Sequence, residues 1–91
     1  MNSEIRDGIL YIQGEVTVKT VTTPAYTQFE QQCRLKNINM IDGSGVTRAD
    51  STCISLLLTA LRLKSDMRFR NIPESVAALA DLYEIKDWVK Q

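Results

Sequence analysis

Residues 51–64, STCISLLLTALRLK, constrain the fold more than any other stretch of the chain. They contain neither glycine nor proline and read as a helix from about Ser51 to Lys64, with Asp50 as its N-cap. At helical spacing Ile54, Leu57, Leu58 and Leu61 make one apolar stripe, and Cys53, Leu56, Ala60 and Leu63 make a second. Only Ser55, Thr59 and Arg62 form a polar strip. A helix apolar over most of its circumference is usually covered on more than one side. A small sheet covers one side, so the remainder is expected against a neighbouring helix or against a partner protein. The pattern alone favours neither.

The rest of the chain supplies the sheet. In EIRDGILYIQG the pair Asp7-Gly8 offers the left-handed turn residues of a hairpin, with Gly14 expected to end its second strand. TTPAYTQFEQQCRLK carries a helix start, with Thr23 as N-cap and Pro24 at the first helical position. Ala25, Tyr26, Phe29 and Cys33 share its inner side. NINMIDG reads as a short apolar strand broken at Gly43, with a loop from Gly43 to Ala49. SDMRFRNIP reads as a strand that places Met67 and Phe69 inward and Arg68 and Arg70 in solvent. Pro73 opens a last helix through Tyr83, with Val76 on its inner stripe. The order β-β-α-β-α-β-α argues for α/β layers with parallel pairing. The expectation is one domain, residues 1–91, built on a mixed sheet of about four strands with helices mainly on one face. A chain of 91 residues has a thin core, burying roughly 60% of its unfolded surface.

Charge narrows the function. The 11 basic and 11 acidic residues sum to a net charge of +0 and are scattered, so no electrostatic footprint for nucleic acid or an anionic membrane is present. The first residues, MNSEIRDG, lack the apolar core of a signal peptide, and the run from Cys53 to Leu63 is too short to span a bilayer. A cytoplasmic protein without membrane insertion is expected. There is no histidine, and Cys33 and Cys53 form no CxxC pair, so neither a metal site nor a cofactor is expected. A single disulfide between them is the alternative to the favoured reading, two small buried hydrophobes on apolar helix positions.

The segment INMIDGSGVTRADSTCISLLLTAL resembles the STAS domain of bacterial anti-sigma-factor antagonists and sulfate-transporter tails. In that family a strand ending Asp-Leu-Ser-Gly-Val precedes a loop, then Asp-Ser-Ser-Gly-Leu or Asp-Thr-Gly-Gly-Leu, then a leucine-rich helix. Here Asp42-Gly43-Ser44-Gly45-Val46 and Asp50-Ser51-Thr52-Cys53-Ile54 stand at those places. GEV after the hairpin and FRNIPESVAALADLYEI near the end extend the likeness along nearly the whole chain. The chain departs at Gly43, where the family has an apolar residue, and at Thr52-Cys53, where glycine is usual.

A short freestanding chain most resembles the small STAS subunit of the Mla phospholipid-transport ABC complex (the MlaB-like branch). Its Arg-Val-Asp-Thr-Gly-Gly-Leu pattern falls on Arg48 to Ile54 and its hydroxyl on Ser51. The resemblance implies a non-enzymatic subunit that binds and supports an ABC transporter ATPase. It would sit peripheral to the inner membrane and help to maintain outer-membrane lipid asymmetry. The alternative branch implies an anti-sigma-factor antagonist that binds an anti-sigma-factor kinase and is phosphorylated on the second hydroxyl, here Thr52, or on Ser51. Self-association through the second helix is a third reading.

These implications bear on Asp50-Ser51-Thr52. A nucleophilic hydroxyl needs a base, and none stands near in sequence, so an enzyme is not expected. GSGVTRAD is neither a P-loop nor a dinucleotide fingerprint. A phosphate on the first helical turn would meet unpaired N–H groups and the positive dipole end, although Asp50 would repel it. A plain cap, contributing about 1 kcal/mol, needs no function at all. The resemblance favours partner contact. The expected surface is Asp50, Ser51, Thr52, Ser55, Thr59 and Arg62. Tyr83 and Trp88 are further aromatic candidates, as anchors or as core.

Overall fold

A computed structural model describes residues 1–82. The elements are β1 (Asn2–Arg6), β2 (Ile9–Val16), α1 (Thr23–Cys33), β3 (Met40–Ala49), α2 (Ser51–Leu63), β4 (Arg68–Arg70) and α3 (Glu74–Leu82). They form an α/β domain whose four-stranded mixed sheet has the order β1-β2-β3-β4. β1 and β2 are antiparallel; β2–β3 and β3–β4 are parallel.

The hairpin forms where the sequence placed it. Asp7 and Gly8 have φ of 52° and 77°, both left-handed, which is the two-residue turn that matches strand twist. β2 does not end at Gly14. It runs on to Val16 because Gly14, at φ 82°, takes the left-handed conformation beside an irregularity in the β2–β3 register. α1 starts one residue earlier than expected: Thr22 is the N-cap and accepts from Ala25 N at 3.3 Å, leaving Pro24 at the second position. Pro24 has no N–H there to leave unpaired.

The largest correction is β3. Gly43 breaks nothing, and residues 43–49 are strand rather than loop. β2 continues alongside them, which supplies ladder partners that a local reading does not see. Small side chains fit there for a steric reason. A Cβ on Gly45 would stand 2.8 Å from Gln13 Cγ, closer than side chains pack.

Leu10, Ile12, Val16, Phe29, Ile41, Leu56 and Leu57 are almost wholly buried between the helices and one sheet face. The opposite face carries Glu4 and Arg6 of β1, Tyr11 and Gln13 of β2, and Arg68 and Arg70 of β4, and among the described residues no helix covers it.

α2 also differs from expectation. Its buried side is Cys53, Ile54, Leu56, Leu57 and Ala60, while Leu58 and Leu61 are only half-buried. The core-facing stripe is thus turned by most of a quadrant from the one the sequence suggested. α2 packs against both α1 and α3, which takes up much of its apolar surplus within the chain. Val76 of α3 is buried, as expected. Tyr83 and Trp88 lie outside the described residues.

Gly14 offers a direct check. No heavy atom lies within 4 Å of a Cβ built there, so Gly14→Ala would suffer only the backbone penalty of φ 82°. That penalty is about 1–2 kcal/mol. Thermal unfolding should show a Tm drop of about 4–8 °C per kcal/mol for a domain of this size. Gly14→Asn, whose side chain tolerates the left-handed region, should lose less.

Candidate functional site

The parallel strands β2 and β3 end side by side at Val16 and Ala49, and α2 begins at Ser51, with only Asp50 between. In open α/β sheets the carboxyl ends of parallel strands are the usual location of binding sites. Asp50 organises this end. Its Oδ1 accepts from Thr52 N at 2.8 Å, capping α2, and its Oδ2 accepts from Val18 N at 3.2 Å. One carboxylate therefore holds both the helix start and the turn that follows β2. The Thr52 N–H bond is the main reason that the Asp50 carboxyl lies below its usual range. The turn is fixed further by Thr20, whose hydroxyl donates to Glu15 O at 2.7 Å and accepts from Thr17 N at 2.9 Å.

Between this turn and residues 48–50 lies a cavity of about 380 Å³, lined by Glu15, Val18, Lys19, Arg48 and Asp50 among others. Val18 is 75% exposed at its rim, and Arg48 approaches Glu15 at 4.0 Å. The lining carries both signs of charge.

Ser51 is exposed and Thr52 half-buried; Ser55 and Arg62 are exposed. Ser51, Ser55 and Arg62 follow one line along α2, with half-buried Leu58 between them. At 1.5 Å per residue, the line from Ser51 to Arg62 is about 16 Å long. Thr59 stands at its margin and is engaged within the chain. Its hydroxyl donates to Ser55 O at 2.9 Å and meets Tyr26 Oη at 3.1 Å, joining α1 to α2. Asp50 is likewise occupied by two backbone donors, and its part in the site is to position the helix start.

Sequence reasoning missed a second polar cluster, on the open sheet face. Asp42 is 2% exposed and sits opposite Tyr11 on one side and Arg70 on the other. It accepts from Ser44 N at 2.7 Å, Arg70 Nε at 2.5 Å and Asn71 Nδ2 at 3.1 Å. Arg70 Nη2 also donates to Tyr11 Oη at 3.1 Å. Arg70 is therefore an ion-pair partner, where the sequence suggested a solvated side chain; Arg68 is exposed, as expected. Burial alone would push the Asp42 carboxyl up, but the hydrogen bonds from Ser44, Arg70 and Asn71 outweigh it and bring it down to about 2. The available signal was the i, i+2 pair Asp42-Ser44 on a strand and the alternation of arginines on β4.

Cys33 and Cys53 are both free and buried. Burial pushes their thiols up, to about 12 and about 11 respectively, so both are protonated at neutral pH. Among the described residues no group of three or more His, Cys, Asp or Glu is placed to hold a metal ion. Also among them, no helix is long and apolar enough to cross a membrane.

No protein-family model matches the chain, and no curated protein matches it.

Because Asp42 has a folded pKa of about 2 against an ordinary 3.8, its charged form is favoured by folding. The stabilisation is fully present above the ordinary value and is lost as pH falls from there through about 2. Asp42→Asn should cost about 2 kcal/mol at pH 7, from the lost charge-assisted bonds to a partly exposed arginine. Urea unfolding at pH 7 and again near pH 2 should show the two proteins converging in acid.

Proposed function

We propose that the chain is a non-enzymatic STAS subunit that binds and supports the ATPase of an Mla-type phospholipid-transport ABC complex. In this reading it is cytoplasmic, held at the inner membrane through that partner, and contributes to outer-membrane lipid asymmetry. The observation that carries the reading is the line Ser51, Ser55, Leu58 and Arg62 on α2, which starts at an exposed hydroxyl on the first helical turn. That turn is where the resembled family makes contact with its partner. A single apolar residue bordered by small hydroxyls and one arginine suits a protein interface, because small polar neighbours let a partner backbone approach. The bonds from Asp50 to α2 and to the 17–20 turn hold this surface in place before binding, which lowers the ordering cost of association.

The second reading is a phosphorylated anti-sigma-factor antagonist. The accessibility of Ser51 favours it over half-buried Thr52 as the modified hydroxyl. A phosphate there would add roughly −1.5 to −2 charges beside Asp50 and dislodge a docked partner.

The two readings separate in one experiment. The tagged protein is purified from its native host, and its companions are identified by mass spectrometry. An ABC ATPase recovered with its permease supports the first reading; a small kinase-like anti-sigma factor, with a phosphopeptide spanning residues 49–62, replaces it by the second. Ser51→Lys with Ser55→Lys should weaken ATPase binding by about 30-fold or more, the scale of an interface hot spot. Unchanged affinity in a variant that melts like the wild type removes α2 from the interface.

A further inference from the structure

We infer that β1 pairs antiparallel with β1 of a second copy of this chain, about a two-fold axis at Ile5. This joins two four-stranded sheets into a continuous one of eight strands. The inference is independent of the functional reading above.

β1 is an edge strand, and among the described residues no backbone–backbone bond runs along its outer side. In a two-residue hairpin the flanking pair, here Arg6 and Ile9, exchanges both ladder bonds, and the pairing alternates from there. Glu4 and Asn2 thus bond inward to Tyr11 and Gln13, which leaves the N–H and C=O groups of Ser3 and Ile5 pointing outward. Gln32 Nε2 reaches the Ser3 carbonyl at 3.4 Å, so the freest pair of groups belongs to Ile5.

Edge strands are commonly protected by charges that repel a second edge. β1 carries one charge of each sign, Glu4 and Arg6, both on the open sheet face. Outward groups lie on odd residues, so a two-fold antiparallel pairing must set odd residues opposite odd ones. Centred on Glu4, it would stack Glu4 on Glu4; centred on Arg6, Arg6 on Arg6. Centred on Ser3, it leaves Arg6 beyond the pairing. Centred on Ile5, it places Glu4 of each copy directly opposite Arg6 of the other, twice. These would be non-hydrogen-bonded pairs, the ones whose side chains lie closest, and opposite charges there stabilise pairing. Meanwhile Ile5 of each copy meets its symmetry mate on the covered face, where it already packs against the core. β1's sequence is therefore self-complementary in one register and repulsive in the two neighbouring ones.

A five-residue edge makes a small interface, in the range of weak and transient associations. Sedimentation velocity of the full chain between roughly 10 μM and 1 mM, in low salt, is the test. The wild type should show a concentration-dependent dimer. Glu4→Arg alone, or Arg6→Glu alone, should raise the dissociation constant at least tenfold. The double variant should restore it to within about threefold, because the opposition is re-formed with signs exchanged. Ile5→Pro removes an outward N–H that β2 does not use, so the hairpin should survive while the dimer is lost. A wild type that stays monomeric at 1 mM overturns the inference. So does a folded double variant as weak as the single ones, or a dimer that persists in Ile5→Pro.

Discussion

β3 is the constraint on which the rest of the domain depends. Among the described residues it is the one strand paired in parallel on both sides, and a parallel neighbour cannot be reached by a hairpin. The chain must therefore cross over twice, through α1 between β2 and β3 and through α2 between β3 and β4. The strand order advances in one direction, β2 to β3 to β4, and right-handed crossovers that advance the same way lie on the same face. One sheet face is covered as a consequence, and the other is left to Glu4, Arg6, Tyr11, Gln13 and the β4 arginines. The bare face, the thin core and the location of α2's start all follow from that topology.

Two aspartates make β3 a rigid frame. Asp42, near its beginning, gathers Arg70 and Asn71 from the β4 end and, through Arg70, the Tyr11 hydroxyl of β2. Asp50, just after its end, gathers the β2–α1 turn and the first turn of α2. Neither carboxylate is spare. Each satisfies backbone or side-chain donors that the topology brings to it, and for Asp42, which is buried, a carboxylate without them would be strongly unfavourable. Lys64 does the same at the other end of α2, where its ammonium donates to the Leu35 and Ile38 carbonyls and closes the α1–β3 connection against the helix.

What was legible in the sequence was whatever local chemistry decides. Asp7-Gly8 dictates a turn, Asp50 dictates a cap, and the apolar spacing of 51–63 dictates a helix; all three stand, with the order of elements and the mixed sheet. The errors fall where a non-local partner decides. Residues 43–49 look like a loop because glycine and serine disfavour strands, and β2 running alongside reverses that. The rotation of α2 was misjudged because periodicity gives the width of an apolar arc but not its centre when most of the circumference is apolar. The Asp42–Arg70 pair spans 28 residues, and no spacing rule connects such positions. Of the candidate surface, the exposure of Ser51, Ser55 and Arg62 was readable from helical spacing. The tie from Thr59 to Tyr26 on α1 was not.

The apolar excess of α2 does not itself demand a partner, since Cys53, Ile54, Leu56, Leu57 and Ala60 are buried within this chain and α1 and α3 flank the helix. An interface on α2 must be argued from what is left over, a narrow line of two serines, one leucine and one arginine. A surface that is small and mostly polar gains little from hydrophobic burial, so recognition on the proposed reading would rely on shape and on the fixed helix start. Pre-organisation then matters more than area. On the proposed reading, Asp50 and the turn it holds would govern affinity without touching the partner, because they decide where Ser51 stands.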